Sequence, residues 1–416
     1  MSASVAAAEQ PPVQVEVGSP EHQEEAQTVI QGIHDAPASD TALHPPADSD
    51  VDAASPEADD ENDEGSYWNA ATMAPLNAAS AAAIARLRAY KPPPFPLWDR
   101  LPLGRRAAVL LLLYADRRGD LRVVITMRAA SLRSFSGHAA LPGGKADTLD
   151  ESPYQIARRE AWEEIGLPLD DTKLPPPFRI EHLCYLPINL ARTELAVRPC
   201  VALLHTGDTT TATTTTTPSS PSPTAEESLI PRLDAREVAA VFSAPFHNFL
   251  RDTDEVVPDP ENKGRLPPPP GTWYEGSWTT WHETRWRMHF FYVPVTNQTV
   301  VKPKVREGGL AALAESEHDN NNGNDEVEEP GRYKVWGMTA RILVDAATVA
   351  YGEKPEFEHN RHFGDEKMIE MLEKMGKMGE KKRTGSLLTA EDLERAQQAV
   401  NKEAEGKKEK GEASKM

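Results

Sequence analysis

Residues 141–167 read LPGGKADTLDESPYQIARREAWEEIGL, a stretch that joins a glycine turn to the start and stop signals of a helix. Ser152 is a preferred N-cap residue, and Pro153 suits the first helical position. Gly166 is typical of the left-handed residue that ends a helix. The sequence therefore predicts a helix that begins after Ser152 and ends before Gly166.

The predicted helix has two chemically different faces. Its apolar stripe, suited to packing on a sheet, consists of Ala157, Ala161 and Ile165. Glu160, Glu163 and Glu164 stand at positions i, i+3 and i+4, so their carboxylates share the other face. Crowded carboxylates repel each other unless a cation joins them, and hard oxygen ligands suit Mg²⁺. A solvated charged face is the ordinary alternative, but the nearby glycine turn favours a metal site.

The helix and its approach resemble the Nudix box, G-x5-E-x7-R-E-U-x-E-E-x-G-U, where U is apolar. The second half of the pattern is matched by Arg159, Glu160, Ala161, Glu163, Glu164, Gly166 and Leu167. Glu151 stands eight residues before Arg159, as the pattern requires. Gly144 stands seven residues before Glu151 rather than six. That inserted residue is typical of the coenzyme A pyrophosphatase branch of the family.

A second signature of that branch, L-L-T-x-R-[SA]-x3-R-x3-G-x3-F-P-G-G, also resembles this chain. The positions that match it are Val124, Ile125, Thr126, Arg128, Ala129, Arg133, Gly137, Leu141, Pro142, Gly143 and Gly144. Every spacing fits, and Leu141 replaces the phenylalanine of the signature. Two long patterns joined end to end are a far more specific signal than either one.

The resemblance implies the α/β class, with a Nudix-type three-layer αβα sandwich built on a mixed β-sheet. It also implies a metal-dependent hydrolase that splits coenzyme A into 3′,5′-ADP and 4′-phosphopantetheine. One alternative is a Nudix hydrolase of ADP-ribose or a dinucleoside polyphosphate. Another is a non-catalytic interaction protein, which the intact box carboxylates disfavour.

Site roles follow from the matched positions. The predicted ligands of Mg²⁺ or Mn²⁺ are Glu160, Glu163 and Glu164, and the predicted catalytic residues are Glu163, Glu160 and Arg159. The predicted substrate-binding residues are Arg128, Arg133, Gly137, Gly143 and Gly144. Arginine grips phosphate through two parallel hydrogen bonds, so Arg128 and Arg133 are candidates for binding the 3′-phosphate of coenzyme A. The predicted general base is Glu163, with Glu237 as the alternative. His138 and His289 are expected to be packing residues.

The acidity of the chain is concentrated in its first part. The net charge is −20, and the first 85 residues contain sixteen Asp or Glu and no Lys or Arg. Low hydrophobicity with one sign of charge predicts a disordered acidic arm over residues 1–77. The same charge makes non-specific binding to nucleic acid unfavourable.

The remaining chain is predicted to hold one Nudix domain over residues 78–351. A Thr/Ser/Pro tract at 207–227 and an acidic polar stretch at 308–331 are predicted disordered insertions. A charged tail at 352–416 is predicted to be partly helical, with a helix over 366–378 and a loose end from 402 onward. Strands are predicted at 107–114, 121–127, 178–186, 193–204 and 278–295, and helices at 78–88, 233–250 and 335–351. Thr339 is the predicted cap of the last of these helices.

The predicted location is the peroxisome, with the cytoplasm as the alternative. Two cysteines cannot form a disulfide framework, and the N-terminus lacks a secretory signal. The longest apolar run is too short to cross a membrane, so no membrane partner is expected. Ser414-Lys415-Met416 differs by one residue from the S-K-L peroxisomal tripeptide, so a peroxisomal import receptor is the expected protein partner. The expected substrate partner is a small molecule.

Overall fold

The computed structural model describes most of the predicted domain and much of the tail. The described residues are 76–129, 137–174, 178–206, 238–255, 267–281, 284–296, 298, 300, 302, 331–360, 362–380 and 388–413. Residues 1–75 of the predicted acidic arm, the insertion 207–227 and residues 308–330 of the second insertion lie outside them. So do Arg133, Glu237 and the C-terminal tripeptide.

In the part of the chain that the structure describes, a mixed sheet of eight strands forms the centre of the fold. Its strands are β1 (Arg106–Ala115), β2 (Leu121–Arg128), β3 (Ala139–Ala140), β4 (Gly143–Lys145), β5 (Phe178–Tyr185), β6 (Asn189–Leu190), β7 (Ala196–Thr206) and β8 (Val238–Pro245). The order is β3-β2-β1-β7-β5, while β4 pairs with β1, β6 with β7 and β8 with β2. β1 and β7 run parallel, with Ala107 opposite Val197 and Leu113 opposite Leu203, and the other pairs are antiparallel.

Helices cover both faces of this sheet, which confirms the predicted three-layer αβα sandwich. The helices are α1 (Ala78–Ala89), α2 (Pro153–Ile165), α3 (Gly337–Tyr351), α4 (Glu366–Lys374) and α5 (Ala390–Ala413). α2, α4 and α5 pack against the face that carries Leu110 and Leu112 of β1. α1 and α3 pack against the face that carries Leu111 and Leu113. All of the β1 residues except Val109 are buried, and a strand buried on both faces reads as a nearly continuous apolar run.

A second, three-stranded sheet lies beside α3. It consists of β9 (Tyr274–Trp281), β10 (Thr284–Pro294) and β11 (Arg332–Trp336), with β10 in the middle. The prediction of one strand at 278–295 is wrong, because this segment belongs to the antiparallel hairpin of β9 and β10, with Thr284 opposite Trp281. The predicted alternation survives within β10, where Phe290 pairs with Trp336 and Phe291 with Val335.

Two predicted helices differ from the observed elements. Within the predicted helix at 233–250, β8 pairs with β2, and a short 3-10 turn at His247–Leu250 follows it. A short apolar run buried on both faces has no period that separates a strand from a helix, so pairing with β2 decides. The predicted helix at 335–351 starts at Gly337 instead, because Val335 and Trp336 belong to β11. Thr339 therefore lies inside the first turn, and Trp336 occupies the N-cap without a side-chain hydrogen bond.

The charged segment after Gly352 is part of the same core. Ile369 and Leu372 of α4 and Ala396 of α5 are fully buried. The helix predicted at 366–378 is observed as α4, but the loose end predicted from 402 is wrong, because α5 continues to Ala413. The boundary of the domain at 351 stays a prediction. Within the described chain, no helix has the length and apolar character needed to span a bilayer.

Candidate active site

The helix predicted from the quoted stretch is α2, and its ends form as the sequence indicates. The Ser152 hydroxyl accepts a hydrogen bond from the Gln155 backbone N–H, and the Gln155 side chain accepts one from the Ser152 N–H. Pro153 is the first helical residue, and Gly166 ends the helix at φ 70°. This reciprocal capping satisfies two N–H groups that the helix leaves unpaired. Helix α2 is thereby fixed at both ends above the sheet.

The apolar stripe of α2 holds the helix against β1. Ala157, Ala161 and Ile165 are fully buried, as predicted. Small side chains at 157 and 161 let the helix approach the sheet closely, and each fully buried isoleucine contributes about 1.5–3 kcal/mol. This packing turns the glutamate face of α2 toward the Gly143–Lys145 turn.

The three box glutamates meet different surroundings. The Glu164 side chain is 6% exposed, those of Glu160 and Glu163 are 15% and 42% exposed, and the Glu164 carboxylate accepts a hydrogen bond of 3.2 Å from the Gly143 backbone N–H. Glu160 lies against Gly144, where an added Cβ would fall 2.4 Å from the Glu160 carboxyl carbon. A side chain at position 144 would therefore displace the Glu160 carboxylate.

Arg159 forms ion pairs with three carboxylates of the box. Its guanidinium contacts Glu151 at 2.8 Å, Glu160 at 3.0 Å and Glu163 at 3.3 Å, and it donates to the Lys145 carbonyl at 2.7 Å. Burial acts to lower the pKa of Arg159, but the hydrogen bond to Glu151 and the charge of Glu160 raise it overall. Burial likewise acts to raise the pKa of Glu151, and its hydrogen bonds with Arg159 and the backbone at 147 and 148 lower it overall. Arg159 therefore orients the carboxylates as a fixed cation.

Arg128 lies at the end of β2, beside the box. One guanidinium nitrogen of Arg128 is 4.0 Å from the Glu164 carboxylate. The Arg128 carbonyl accepts from the Gly137 N–H at 3.0 Å, and the Arg128 N–H donates to the His138 carbonyl at 3.0 Å. Gly137 adopts φ 68°, a left-handed conformation that favours glycine. Gly137 thus forms the turn that holds Arg128, while its predicted contact with substrate stays a prediction.

A cavity of about 330 Å³ opens beside the glycine turn. Its floor is formed by Gly143, Gly144 and the cavity-facing residues of β1 and β7. Side chains of β9, β10 and β11 and residues 337–339, 341 and 342 of α3 also line it. The wall is mostly apolar, and its cationic side chains among the described residues are Arg128, Arg192 and Arg341. A charged substrate end at the box and an apolar end in this cavity would fit together.

Several residues that line the cavity were not predicted from the sequence. Arg192 belongs to a loop at 191–195, and burial lowers its pKa. Trp286 and Trp336 line the cavity from the second sheet. The alternation of aromatic residues along β10 marks a sheet face, but it does not show which cavity that face lines.

The loop at 191–195 is held by an ion pair that the sequence did not indicate. Glu194 adopts φ 63° and is buried, and its carboxylate accepts hydrogen bonds from Arg105 and from the Leu388 backbone N–H. Arg105 also donates to the carbonyls of Gly379 and Lys377, at 3.0 and 3.3 Å. The C-terminal segment therefore supports a loop of the cavity.

His289, expected to be a packing residue, is buried in a hydrogen-bonded chain. It contacts the Tyr274 hydroxyl at 3.1 Å and His359 at 2.9 Å, and His359 contacts Asp345 at 2.7 Å. Burial and the charges of His359, Arg287 and Arg341 hold the pKa of His289 well below its usual range. The expectation for His289 is confirmed. His138 lines the cavity and lies 4.9 Å from the Trp336 ring.

A divalent cation fits the chemistry of the box but needs movement of side chains. Among the described residues, no group of three His, Cys, Asp or Glu side chains is already gathered as a metal site. Glu160 and Glu163 are turned to Arg159, and Glu164 to Gly143. These are oxygen donors on adjacent turns of one helix, and the absent Cβ of Gly144 lets the Glu160 carboxylate lie against the glycine turn. The donor set fits Mg²⁺ or Mn²⁺ once the carboxylates exchange Arg159 for the ion.

Comparison with known proteins agrees with this geometry. The NUDIX domain model matches residues 104–185, which hold β1 to β5 and α2. Over 261 residues the chain is 30% identical to peroxisomal coenzyme A diphosphatase 1 of Saccharomyces cerevisiae, covering 60% of this chain and 71% of that protein. The chain belongs to the Nudix family. Nudix hydrolases cleave diphosphate bonds and generally use divalent metals such as Mg²⁺ or Mn²⁺.

Two further relatives differ in coverage. Nudix hydrolase 22 of Arabidopsis thaliana is 29% identical over 61% of this chain and 58% of its own length. The peroxisomal coenzyme A diphosphatase ndx-8 of Caenorhabditis elegans is 31% identical over 35% of this chain and 51% of its own length. The similarity to two diphosphatases of this type confirms the predicted resemblance to the coenzyme A branch of the Nudix family. The chain spans little more than half of the second and third of these proteins.

The structure brings together most of the predicted site residues of this Nudix protein. Those near one another at the junction of α2, β2 and the glycine turn are Glu160, Glu163, Glu164, Arg159, Arg128, Gly143 and Gly144. Gly137 supports Arg128 from the adjacent turn. Arg133 and the alternative base Glu237 lie outside the described residues, so their roles stay predictions.

Proposed function

We propose that this Nudix protein is a metal-dependent diphosphatase that hydrolyses coenzyme A and its derivatives to 3′,5′-ADP and 4′-phosphopantetheine. The observation that carries the proposal is the position of Arg128, between the buried Glu164 of the box and the cavity. There its guanidinium meets an anionic group of a substrate whose diphosphate lies at the glycine turn. The named activity of the yeast and nematode relatives supports the same substrate.

Glu160, Glu163 and Glu164 would hold the divalent cation. When bound, that ion supplies charge neutralisation on the diphosphate and lowers the pKa of water. Arg159 orients Glu160 and Glu163 through contacts of 3.0 and 3.3 Å. The Gly143 N–H holds Glu164 in place. These contacts keep the carboxylates close to one another until the ion takes the place of Arg159.

In the hydrolysis, water attacks one phosphorus and the bridging P–O bond breaks, which leaves one phosphate on each product. Glu163 is the base that takes the proton of the attacking water, because it is the most exposed of the three box carboxylates. Its neighbour Arg159 returns to its ion pair when the site empties. Glu237 is the alternative base.

Product analysis tests this proposal directly. The purified full chain is incubated with coenzyme A, acyl-coenzyme A, ADP-ribose and a dinucleoside polyphosphate, each with Mg²⁺, Mn²⁺ or a chelator. We expect coenzyme A compounds to give 3′,5′-ADP and 4′-phosphopantetheine with the highest kcat/KM, and the chelator to stop the reaction. A higher kcat/KM for ADP-ribose would reassign the substrate, and turnover in the chelator would overturn the metal dependence.

We also propose the peroxisome as the site of this activity, because two relatives carry that location in their names. The predicted signal, residues 414–416, lies outside the described residues. A fluorescent protein fused to the N-terminus, with and without these three residues, tests the address. Puncta that vanish on deletion are expected, whereas a diffuse signal from both fusions would refute the location.

A further inference from the structure

The cavity has an aromatic wall that the box does not explain. Trp286 and Met288 of β10 and Trp336 of β11 line it from the second sheet, whose strands lie outside the segment matched by the family model. Trp286 and Met288 share one face of β10, and Phe290, on the same face, lies opposite Trp336. Two indoles therefore lie along one side of the cavity.

Trp286 is fixed in place by buried charge. The Arg341 guanidinium lies over the Trp286 ring, 4.4 Å from its centroid, and His362 contacts the ring edge at 5.8 Å between centroids. Arg341 is 3% exposed and donates to both oxygens of Asp365, at 2.9 and 3.1 Å. Because its carboxylate partners hold this buried guanidinium in place, it fixes the orientation of the Trp286 indole that it covers.

Trp336 is held in a comparable way. Its ring lies 6.0 Å from Phe290 at an interplanar angle of 17°, and 4.9 Å from His138 on the box side of the cavity. The Lys334 ammonium lies 5.7 Å from the Trp336 ring centroid. Rigid aromatic surfaces lose little conformational entropy when a ligand binds, so they bind more tightly than mobile ones.

We infer that Trp286 and Trp336 form the subsite for the purine ring of the substrate, which rests on the proposed function of the box. A purine is flat and has a π-face, and stacking on indoles is the interaction that such rings make best. The pantetheine arm is a flexible chain, so any apolar wall would stabilise its binding as well as an aromatic one. Arg128 and the two indoles line the same cavity, so it offers a cation for a phosphate and aromatic surfaces for a flat base, the two parts of a nucleotide.

Equilibrium titration isolates the base without relying on turnover. AMP and ribose 5-phosphate share the sugar and the phosphate and differ in the base, so their affinities for the full chain with Mg²⁺ are compared by calorimetry. We expect AMP to bind more tightly to the wild type. Trp286→Leu should weaken AMP by about 5- to 150-fold and leave ribose 5-phosphate unchanged, with Trp286→Phe intermediate. Trp336→Leu should act in the same direction.

A matched control comes from the same sheet. Trp278 of β9 alternates with the cavity-lining Thr279, so Trp278→Leu alters the sheet without altering the wall and should bind AMP like the wild type. Equal loss of AMP and ribose 5-phosphate in Trp286→Leu, equal affinities in the wild type, or a larger loss for 4′-phosphopantetheine than for AMP would overturn the subsite. Failure to hydrolyse coenzyme A would instead refute the proposed function, and the AMP titration would still decide the subsite.

Discussion

Two clusters of arginine and carboxylate side chains in this protein form the same kind of ion pair but differ in their exposure to solvent. The box cluster joins Arg159 to Glu151, Glu160 and Glu163, and its arginine side chain is 18% exposed. The buried cluster joins Arg341 to Asp365 and Asp345, and its arginine side chain is 3% exposed. Water can replace a contact in the first cluster but not in the second. Ion pairs near solvent are therefore exchangeable, while buried ones fix the fold.

The pKa values of the buried cluster agree with this contrast. Burial acts to raise the pKa of Asp365, but the charge of Arg341 and hydrogen bonds from His362, Arg341 and the Leu190 N–H lower it overall. Burial acts to lower the pKa of Arg341, yet its acidic neighbours raise it. Both partners stay charged over the physiological range.

The strongest test of the box cluster is Glu160→Gln. Loss of one ligand charge removes several kcal/mol of stabilisation of the transition state, so we expect kcat at saturating Mg²⁺ to fall roughly a thousandfold. The thermal midpoint should hardly change, because Glu160 is not needed for packing. Glu164→Gln should lose activity similarly. Wild-type kcat in either folded variant would show that these carboxylates do not hold the ion.

For the buried cluster, the corresponding change is Asp365→Asn, with Glu160→Gln as the comparison. Removing the anion leaves Arg341 buried and without its main carboxylate, so the free energy of unfolding should fall by about 3–5 kcal/mol. Chemical denaturation monitored by circular dichroism measures it. A loss below about 1 kcal/mol would mean that the two clusters do not differ in the way proposed.

Arg128 lies between the two extremes, with its side chain 30% exposed and one contact to Glu164 at 4.0 Å. If Arg128 binds the 3′-phosphate, Arg128→Ala should destabilise the transition state for coenzyme A by about 1.5–3 kcal/mol. This lowers kcat/KM roughly ten- to a hundredfold. The loss should be smaller for the analogue that lacks this phosphate. Equal losses on both substrates would place Arg128 at the diphosphate instead, and Arg133→Ala would then be the next variant to compare.

Acid should remove the contribution that Asp365 of the buried cluster makes to stability. The pKa of Asp365 is lowered from its ordinary value of 3.8, so the folded state binds the proton less readily than the unfolded state. Its contribution to stability is therefore complete above that value and is lost as the pH falls through the lowered folded pKa. The difference in unfolding free energy between wild type and Asp365→Asn should shrink with acid below 3.8. A difference that grows in acid would contradict this sign.

The smallest effect is expected at an exposed pair. Arg88 and Glu181 form two hydrogen bonds, of 2.7 and 2.6 Å, with side chains 51% and 36% exposed. Glu181→Gln should lower stability by no more than about 1 kcal/mol and leave activity unchanged. Added salt should make the stability difference between the wild type and Glu181→Gln smaller still. A loss comparable with that of Asp365→Asn would show that exposure does not set the strength of these pairs.

The box could be predicted from the sequence because its signals are local. Capping by Ser152, the stop at Gly166 and the spacing of Glu160 to Glu164 all act within one helix. Strands β1 and β2 could also be predicted from local sequence, because each is a long apolar run and a turn separates them. The αβα layering was predicted from the alternation of strands and helices along the chain together with the family resemblance.

The rest depended on contacts between distant residues. Nothing near Glu194 in the sequence indicates Arg105 or Leu388, which lie 89 and 194 positions away. Residues 238–245 have no period that distinguishes a strand from a helix until β2 pairs with them. The cavity face of Trp286 is likewise set by the packing of the second sheet on α3. Local patterns identify the box helix, but the wall of the cavity requires the assembled fold.

The support of the 191–195 loop by Leu388 also has a consequence for synthesis. A ribosome releases Glu194 and its partner Arg105 well before Leu388, which follows Glu194 by 194 positions. At about 5–20 residues per second, the interval is roughly 10–40 s. Throughout it, the nascent chain can complete the box helix while the loop beside the cavity still lacks its final hydrogen bond. The box helix and the loop beside the cavity are therefore completed at different moments of synthesis.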